Sequence, residues 1–281
     1  MSLPIPVVLA AVLLAAPPAV AEPAWDLFGA RDTPADMAPA PVGSYAKGCL
    51  AGAVALPETG PGWQAMRLDR NRNWGHPEVI AFIERLGAQA QRVGWPRLYV
   101  GDIGQPRGGP MRSGHRSHQI GLDVDIWLRR PEGRLLSRPE REEIGSPSVV
   151  AADRRSVNGG WTASHHALLK AAARDPAVAR IFVNAAIKRE LCNSEPPGAD
   201  RGWLAKVRPW WGHDSHFHVR LHCPAGAIGC IAQDPVTPGD GCDASLAWWF
   251  TDEALNPAPG PRARDLTMAD LPPACADVLA R

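Results

Sequence analysis

One eight-residue segment, GLDVDIWL at 121–128, alternates strictly between two kinds of side chain beyond its first glycine. Aliphatic residues occupy the even positions, and Asp123, Asp125 and Trp127 occupy the odd ones. Successive side chains of a strand point to opposite faces, so the alternation predicts a half-buried strand with carboxylates on its open face. Such a strand is stable only beside other strands over a hydrophobic core, and the chain is therefore expected to form a sheet.

A second alternating segment, HFHVRLHC at 216–223, predicts a partner for that strand. Its even positions hold three histidines and an arginine, whereas its odd positions hold three apolar residues and a cysteine. If the two strands pair in antiparallel fashion, His218 can meet Asp125, and His118 lies in the loop just before the first strand. The two segments together predict one polar face rich in imidazole and carboxylate groups.

Elsewhere the pattern predicts a mixture of helices and short strands. Residues 77–94 have the apolar spacing of a helix. Residues 164–175 predict another helix, capped by Ser164 and with His165 in a solvated first turn. Residues 148–156 are expected to form a further strand.

The composition favours a loop-rich fold and excludes some partners. The chain has 29 prolines and 27 glycines, and residues 22–60 are expected to be an extended lead-in. With 30 basic and 29 acidic residues, the net charge is +1, so no broad field attracts nucleic acid or an anionic membrane. We therefore expect neither as a partner.

The N-terminus predicts export. An apolar run at 6–16, too short to span a bilayer, precedes the small-residue site Ala19-Val20-Ala21. We interpret residues 1–21 as a signal peptide and residues 22–281 as a single domain with no membrane span. No basic residue precedes the apolar run, which is atypical of such signals.

Six cysteines fit an exported chain. None forms a C-x-x-C pair, and an even number in an oxidising compartment predicts three disulfides. Six cysteines allow about 15 pairings, and the sequence alone does not choose among them.

The two polar clusters together predict a catalytic metal site. Two imidazoles and one carboxylate, here His118, His218 and Asp125, are a common protein ligand set for catalytic zinc, with a fourth position open for water. His216 is then close to the metal without being required as a ligand, and it can move a proton or stabilise an oxyanion. The alternatives are a serine triad that uses Ser113 or Ser117, which lack a nucleophile elbow, and a solvated cluster without chemistry.

Longer strings around these residues resemble a known family. The spacing H-x6-D, followed by H-x-H, resembles the lysostaphin, D-alanyl-D-alanine metallopeptidase and hedgehog group. The strings SGHRSHQIGLDVDIW, KVRPWWGHDSHFHVRLHCP and RIFVNAAIKRELC are more specific. They are similar to the penicillin-insensitive murein endopeptidases of the Gram-negative periplasm, over about Cys49 to Cys275.

This resemblance implies roles for particular residues. It implies that zinc is held by His118, Asp125 and His218. It further implies that His216 is the catalytic histidine and that His213 assists it. Two more residues, His115 and Asp153, are implied as candidates for a second metal position, although two arginines follow Asp153 directly.

The resemblance also implies a fold, disulfides and an activity. The fold is α+β, with a central antiparallel sheet, flanking helices and long Pro/Gly-rich loops, and the implied disulfides are Cys49–Cys275, Cys192–Cys242 and Cys223–Cys230. The implied activity is zinc-dependent, penicillin-insensitive hydrolysis of D-alanyl–meso-diaminopimelyl cross-links between peptidoglycan stem peptides in the periplasm.

Three questions stay open at this stage. One alternative is a hedgehog-like binding module that keeps zinc without catalysis. Another is a D,D-carboxypeptidase, for which Arg112, Arg116 and Arg220 are candidate cations to bind a free carboxylate. Whether the chain forms a homo-oligomer is also undecided.

Overall fold

A computed structural model describes residues 22–112, 115–196, 198–260 and 263–281. The predicted signal peptide, residues 1–21, and Ser113 lie outside these described ranges. Among the helices of the described ranges, none combines the length and the apolar character needed to cross a membrane.

The fold combines one large sheet with helices, as the predicted α+β class requires. The strands are β1 Ala40–Ser44, β2 Lys47–Ala51, β3 Val54–Ala55, β4 Thr59–Gly60, β5 Trp63–Ala65, β6 Trp74–Gly75, β7 Leu98–Val100, β8 Asp123–Trp127, β9 Val178–Val183, β10 Val207–Pro209 and β11 His216–Leu221. The helices are α1 Ala24–Gly29, α2 Pro77–Arg92, α3 Arg138–Glu143, α4 Ala163–Arg174, α5 Ala185–Ser194, α6 Ala244–Trp248, α7 Asp252–Leu255 and α8 Ala274–Ala280. Short 3₁₀ turns cover Leu68–Arg70, Gly202–Lys206 and Met268–Asp270.

The main sheet has seven strands in the order β10-β9-β11-β8-β7-β5-β4. Its centre is antiparallel, as predicted, because β11 pairs in this way with both β8 and β9. The β10–β9 and β5–β7 pairs are parallel, so the sheet as a whole is mixed. The predicted pairing of the two alternating segments is confirmed, since His218 lies opposite Asp125 in the β11–β8 ladder.

The largest helix, α2, follows local sequence rules at both ends. Pro77 occupies its first turn, where no backbone N–H is needed, and the His76 ring accepts a hydrogen bond from the Glu78 N–H (3.2 Å). Gly94, just beyond the helix, has φ +75°, a conformation that a residue with a Cβ rarely adopts. One face of the helix is buried in the main core, which it shares with aliphatic side chains of β7, β8, β9 and β11.

A second, smaller apolar cluster surrounds the Cys49–Cys275 disulfide. It joins α1, β2 and α8 through buried side chains such as Phe28 and Val278. All three disulfides pair as the resemblance implied: Cys49–Cys275, Cys192–Cys242 and Cys223–Cys230.

Several local predictions are wrong. The lead-in, residues 22–60, contains α1 and the β1–β2 hairpin, because its apolar side chains pack against the tail helix α8. Residues 148–156 form only an isolated bridge, Val150 to Val157, in place of a strand.

The predicted start of α4 is also wrong. Its N-cap is Thr162, whose backbone N–H donates to the His165 ring nitrogen Nδ1 (3.1 Å). The other ring nitrogen of His165 donates to the Leu128 carbonyl oxygen (2.9 Å), so this residue is buried and not solvated. This contact joins α4 to Leu128, which is 37 residues away in the chain, so the local sequence does not reveal it.

Candidate metal centre

The predicted polar face of the sheet is covered and not open. Asp123 and Asp125, both on β8, are buried. The residues that cover them come from β11 and from the loop before β8, where His118 has a left-handed φ of +66°. That backbone conformation costs about 1 kcal/mol or more for a residue with a Cβ, and strain of this kind clusters at functional sites.

The orientation of the His118 ring is set by a backbone carbonyl. Its Nδ1 donates a hydrogen bond to the Ile103 carbonyl oxygen (2.9 Å). Its Nε2 is therefore left with a lone pair, and this atom lies 3.4 Å from Asp125 Oδ1. Neither Nε2 of His118 nor Oδ1 of Asp125 has a hydrogen-bond partner among the described residues, although both atoms are buried.

His218 is oriented by a carboxylate. Its Nε2 donates to Asp123 Oδ1 (2.9 Å), and its Nδ1 lies 3.3 Å from Asp125 Oδ1. Burial lowers the pKa of His218, but Asp123 and Asp125 raise it above the ordinary value. A cation at this nitrogen would therefore compete with a proton.

Asp123 orients the residues around Asp125 through hydrogen bonds with His218, Arg220 and the His118 backbone. Arg220 Nε donates to its Oδ1 (2.8 Å), and the His118 backbone N–H donates to its Oδ2 (3.0 Å). Burial alone would raise the pKa of Asp123, but Arg220 and His218 hold it far below the usual range. A carboxylate that stays ionised fixes the tautomer of a ligating imidazole, as is typical around metal ligands.

These contacts fit a divalent cation. Nitrogen lone pairs of His118 and His218 converge on one oxygen of Asp125, and a buried polar atom without a partner is costly unless something binds it. Two imidazoles with one carboxylate suit zinc. A second arrangement is also present, because ligand atoms of His115, His118 and Asp125 all lie within 4.8 Å of one another.

His115 has a carboxylate partner that sequence reasoning missed. Its Nε2 lies 3.2 Å from Asp102 Oδ2 and 3.6 Å from Asp125 Oδ2. Burial would raise the pKa of Asp102, but hydrogen bonds from His115 and Arg72 lower it to about 2. The available signal was the position of Asp102, two residues beyond β7, which places it at the edge of the same sheet.

The two remaining histidines of the predicted site lie beside this group. His216 Nε2 is 3.8 Å from Asp125 Oδ2, and its side chain is 26% exposed to an adjoining cavity. His213 has a left-handed φ of +50°, and its ring centroid is 5.1 Å from that of His216. Burial, with the neighbouring rings of His218 and His216, lowers the pKa of His213 to about 4.

Asp153 is not brought to this group by any contact within the described residues. It lies on an exposed turn, where its carboxylate accepts from the Arg155 N–H (2.8 Å) and from Ser156. The carboxylate beside His115 is that of Asp102 instead. Turn residues with free N–H groups satisfy a short acidic side chain locally, which explains the position of Asp153.

The serine alternative has no geometric support. Ser117 makes no hydrogen bond to a histidine anywhere in the described ranges, and Ser113 lies outside them. Two of the three cations suggested for a free carboxylate are engaged: Arg220 pairs with Asp123, and Arg112 pairs with Asp26 (3.3 Å). The third, Arg116, lines a larger cavity whose wall also includes His115.

A cavity of about 200 Å³ opens beside the histidine cluster. Trp127 lines it together with Asp125, His115 and His216. Trp210 and Trp211, in contrast, are about half exposed and pack against a neighbouring pair of tryptophans, Trp248–Trp249. Strands β8 and β11 thus face a small polar cleft with a tryptophan in its wall.

Comparison with known proteins identifies a family that matches most of the chain. A family model described as "Penicillin-insensitive murein endopeptidase" matches residues 41–280. A protein of that name from Haemophilus influenzae is 50% identical over 213 residues, which are 75% of this chain and 73% of the relative. Proteins of the same name from Klebsiella pneumoniae and Yersinia enterocolitica are 44% and 42% identical, over 85% and 95% of this chain and 85% and 94% of the relatives.

Proposed function

Because the chain belongs to the penicillin-insensitive murein endopeptidase family, we propose that it hydrolyses the D-alanyl–meso-diaminopimelyl cross-links of peptidoglycan with a bound zinc ion. The chain is a metallopeptidase, and cross-linked stem peptides are its substrate class. We further propose that residues 1–21 direct export to the periplasm and that residues 22–281 act there as one domain.

One observation carries the choice of zinc ligands. His118 Nε2 and His218 Nδ1 point to the same oxygen of Asp125, and the other nitrogen of each ring is occupied by a hydrogen bond. We propose these three residues as the ligands. Zinc, when bound there, would polarise the scissile carbonyl and lower the pKa of a water molecule.

The neighbouring histidines would act on the reacting groups. His216 is partly exposed to the cleft and is not needed to complete the ligand set, so we assign it the proton transfer or the stabilisation of the oxyanion. Burial lowers the pKa of His216, so the ring is neutral and able to accept a proton near pH 7. His213 lies behind it and supports it.

The remaining positions form an outer part of the site. His115 is proposed for a second metal position, with Asp102 as the adjacent carboxylate. Asp153, the other candidate that the resemblance implied, makes no contact with His115 among the described residues. Attack by water forms no acyl-enzyme, so a β-lactam has no nucleophilic serine to acylate, which accounts for insensitivity to penicillin.

Purified protein tested on defined muropeptides distinguishes the candidate functions. A zinc-dependent endopeptidase converts cross-linked dimers to monomers. A chelator abolishes this activity and added zinc restores it, whereas penicillin does not inhibit it. Release of D-alanine from monomers, with dimers left intact, would identify a carboxypeptidase. Zinc binding with no product from either substrate would identify a binding module.

A further inference from the structure

One arginine that lines the cleft beside the histidine cluster has no anionic partner among the described residues. Arg67 and Arg70 both line it, and Arg70 pairs with Asp102 (3.3 Å). The guanidinium of Arg67 has no ion pair with any described residue. The guanidinium carbon instead lies 5.7 Å from the centroid of the Trp127 ring. A half-buried guanidinium without a carboxylate can therefore receive an anion from outside the protein.

The backbone holds Arg67 in an uncommon conformation. Its φ is +57°, and that of Asn71, at the other end of the same 3₁₀ turn, is +50°. The Arg67 N–H donates to the Arg141 carbonyl oxygen (3.2 Å), which anchors this turn to α3. Left-handed conformations in residues with a Cβ persist only where surrounding contacts impose them, and they mark functional sites. The turn therefore holds Arg67 at the rim of the cleft.

The arginines that contact the carboxylates of the site are already engaged. Arg72 and Arg70 both contact Asp102, whereas Arg220 is committed to Asp123. Within this group of described arginines, Arg67 is therefore the one available to bind an anion. It lines the cleft together with Asp125 and His216. An anionic group bound to Arg67 would lie in the same small space as the scissile bond.

We propose that Arg67 binds the free carboxylate next to the scissile amide, and this inference rests on the proposed function. In a D-alanyl–meso-diaminopimelyl cross-link, the carbon that carries the scissile amide nitrogen also carries a carboxylate. A guanidinium offers a planar pair of N–H donors that matches a carboxylate in bidentate fashion. Arg67 would thus select cross-links with an ionised carboxylate on the leaving-group side, and the Trp127 face would limit how the guanidinium turns.

Two matched substrates test this role. One is a cross-linked muropeptide dimer with the free carboxylate, and the other is the same dimer with that carboxylate amidated. We expect the wild type to prefer the free carboxylate in kcat/KM by about 10- to 100-fold, the range of a charge-assisted hydrogen bond. Arg67→Gln should abolish the preference by slowing only the reaction of the free-carboxylate substrate.

Control variants separate recognition from folding. Arg67→Lys keeps the charge but loses the bidentate geometry, so it should show an intermediate preference. Arg92→Gln removes an exposed arginine at the end of α2 and should keep the full preference. Zinc content and thermal unfolding are measured for each variant, and should match the wild type.

The outcomes for the proposal and for the function are distinct. If the wild type cleaves neither dimer, the proposed function fails. If it cleaves both equally well, the function stands and the carboxylate site is wrong. An equal loss on both substrates in Arg67→Gln, or no loss in either, would also overturn the role of Arg67. Should Arg67→Gln not fold, a full preference in Arg67→Lys would contradict a bidentate contact.

Discussion

At the scale of single residues, the site depends on which ring nitrogen carries a proton. The Ile103 carbonyl oxygen accepts a hydrogen bond from His118 Nδ1, and Asp123 accepts one from His218 Nε2, so the other two nitrogens face Asp125. A neutral imidazole has one donor and one acceptor nitrogen, so a partner on one side determines what the other side can bind. In the proposed site, hydrogen bonds from groups that are not metal ligands thus decide which nitrogen of each histidine is available to bind zinc.

The ligand assignment predicts a joint loss of metal and activity. His118→Ala and Asp125→Ala should each lose stoichiometric zinc and hydrolysis of cross-linked dimers, because two remaining ligands bind zinc weakly. Metal analysis of the purified variants and a dimer-cleavage assay measure the two effects. His222→Ala is the matched control, since His222 is exposed beyond the end of β11 and should keep both. Full zinc occupancy in either ligand variant would refute the assignment.

His216 is predicted to separate the two properties. His216→Ala should retain most of its zinc while its activity falls by about 10²-fold or more, the typical effect of a lost acid–base or oxyanion group. The same metal analysis and assay are used. A parallel loss of zinc and activity would make His216 a ligand instead.

At the scale of secondary-structure elements, β11 carries both His216 and His218. The position of these two side chains therefore depends on how the C-terminal end of the strand is anchored. Its register shifts between Arg220 and Leu221, and the Cys223–Cys230 disulfide follows directly. Cys230 in turn forms a bridge with Gly43 of β1. This short disulfide thus connects the catalytic strand to the N-terminal hairpin.

Removal of the Cys223–Cys230 disulfide is expected to affect the site more than global stability. The bridge spans only 7 residues, so it removes little entropy from the unfolded chain, but it anchors the strand end beside the ligands. A double Cys→Ser variant should therefore lose zinc affinity or activity while its melting temperature falls by only a few degrees. A large loss of thermal stability with normal zinc binding would argue against this division.

At the scale of the whole molecule, the Cys49–Cys275 disulfide joins strand β2 to helix α8. It lies within the small apolar cluster of α1, β2 and α8 and closes a loop with a sequence separation of 226 residues. In the chain-entropy model a loop of this length stabilises the folded state by roughly 5 kcal/mol, although measured gains are often smaller. We expect it to contribute to the stability of the fold, because none of the buried residues of this cluster lines the cleft.

Removal of this second disulfide is expected to have the opposite result. Cys49→Ala with Cys275→Ala should lower the melting temperature by about 10 °C or more, while zinc content and activity at low temperature stay near those of the wild type. Calorimetry and a metal assay on the same preparation measure both. Loss of zinc at temperatures where the variant is fully folded would contradict this prediction.

The sequence by itself determined the features that depend on spacing along the chain. The alternation in two segments, together with the histidines and aspartates on one face of each, was sufficient to predict the β8–β11 pair and the meeting of His218 with Asp125. Family resemblance added the disulfide partners. These predictions succeed because residues two apart in a strand lie on the same face of the sheet, and this spacing is read directly from the sequence.

Only the tertiary structure decided which groups support and extend that site. Asp102 and Arg67 come from the end of β7 and from a 3₁₀ turn, and no spacing rule relates them to the histidines. Asp153, which the resemblance implied, is satisfied by its own turn. The physical reason is that a buried charge is paired by whichever element packs against it, and that depends on sheet order and loop paths and not on local pattern.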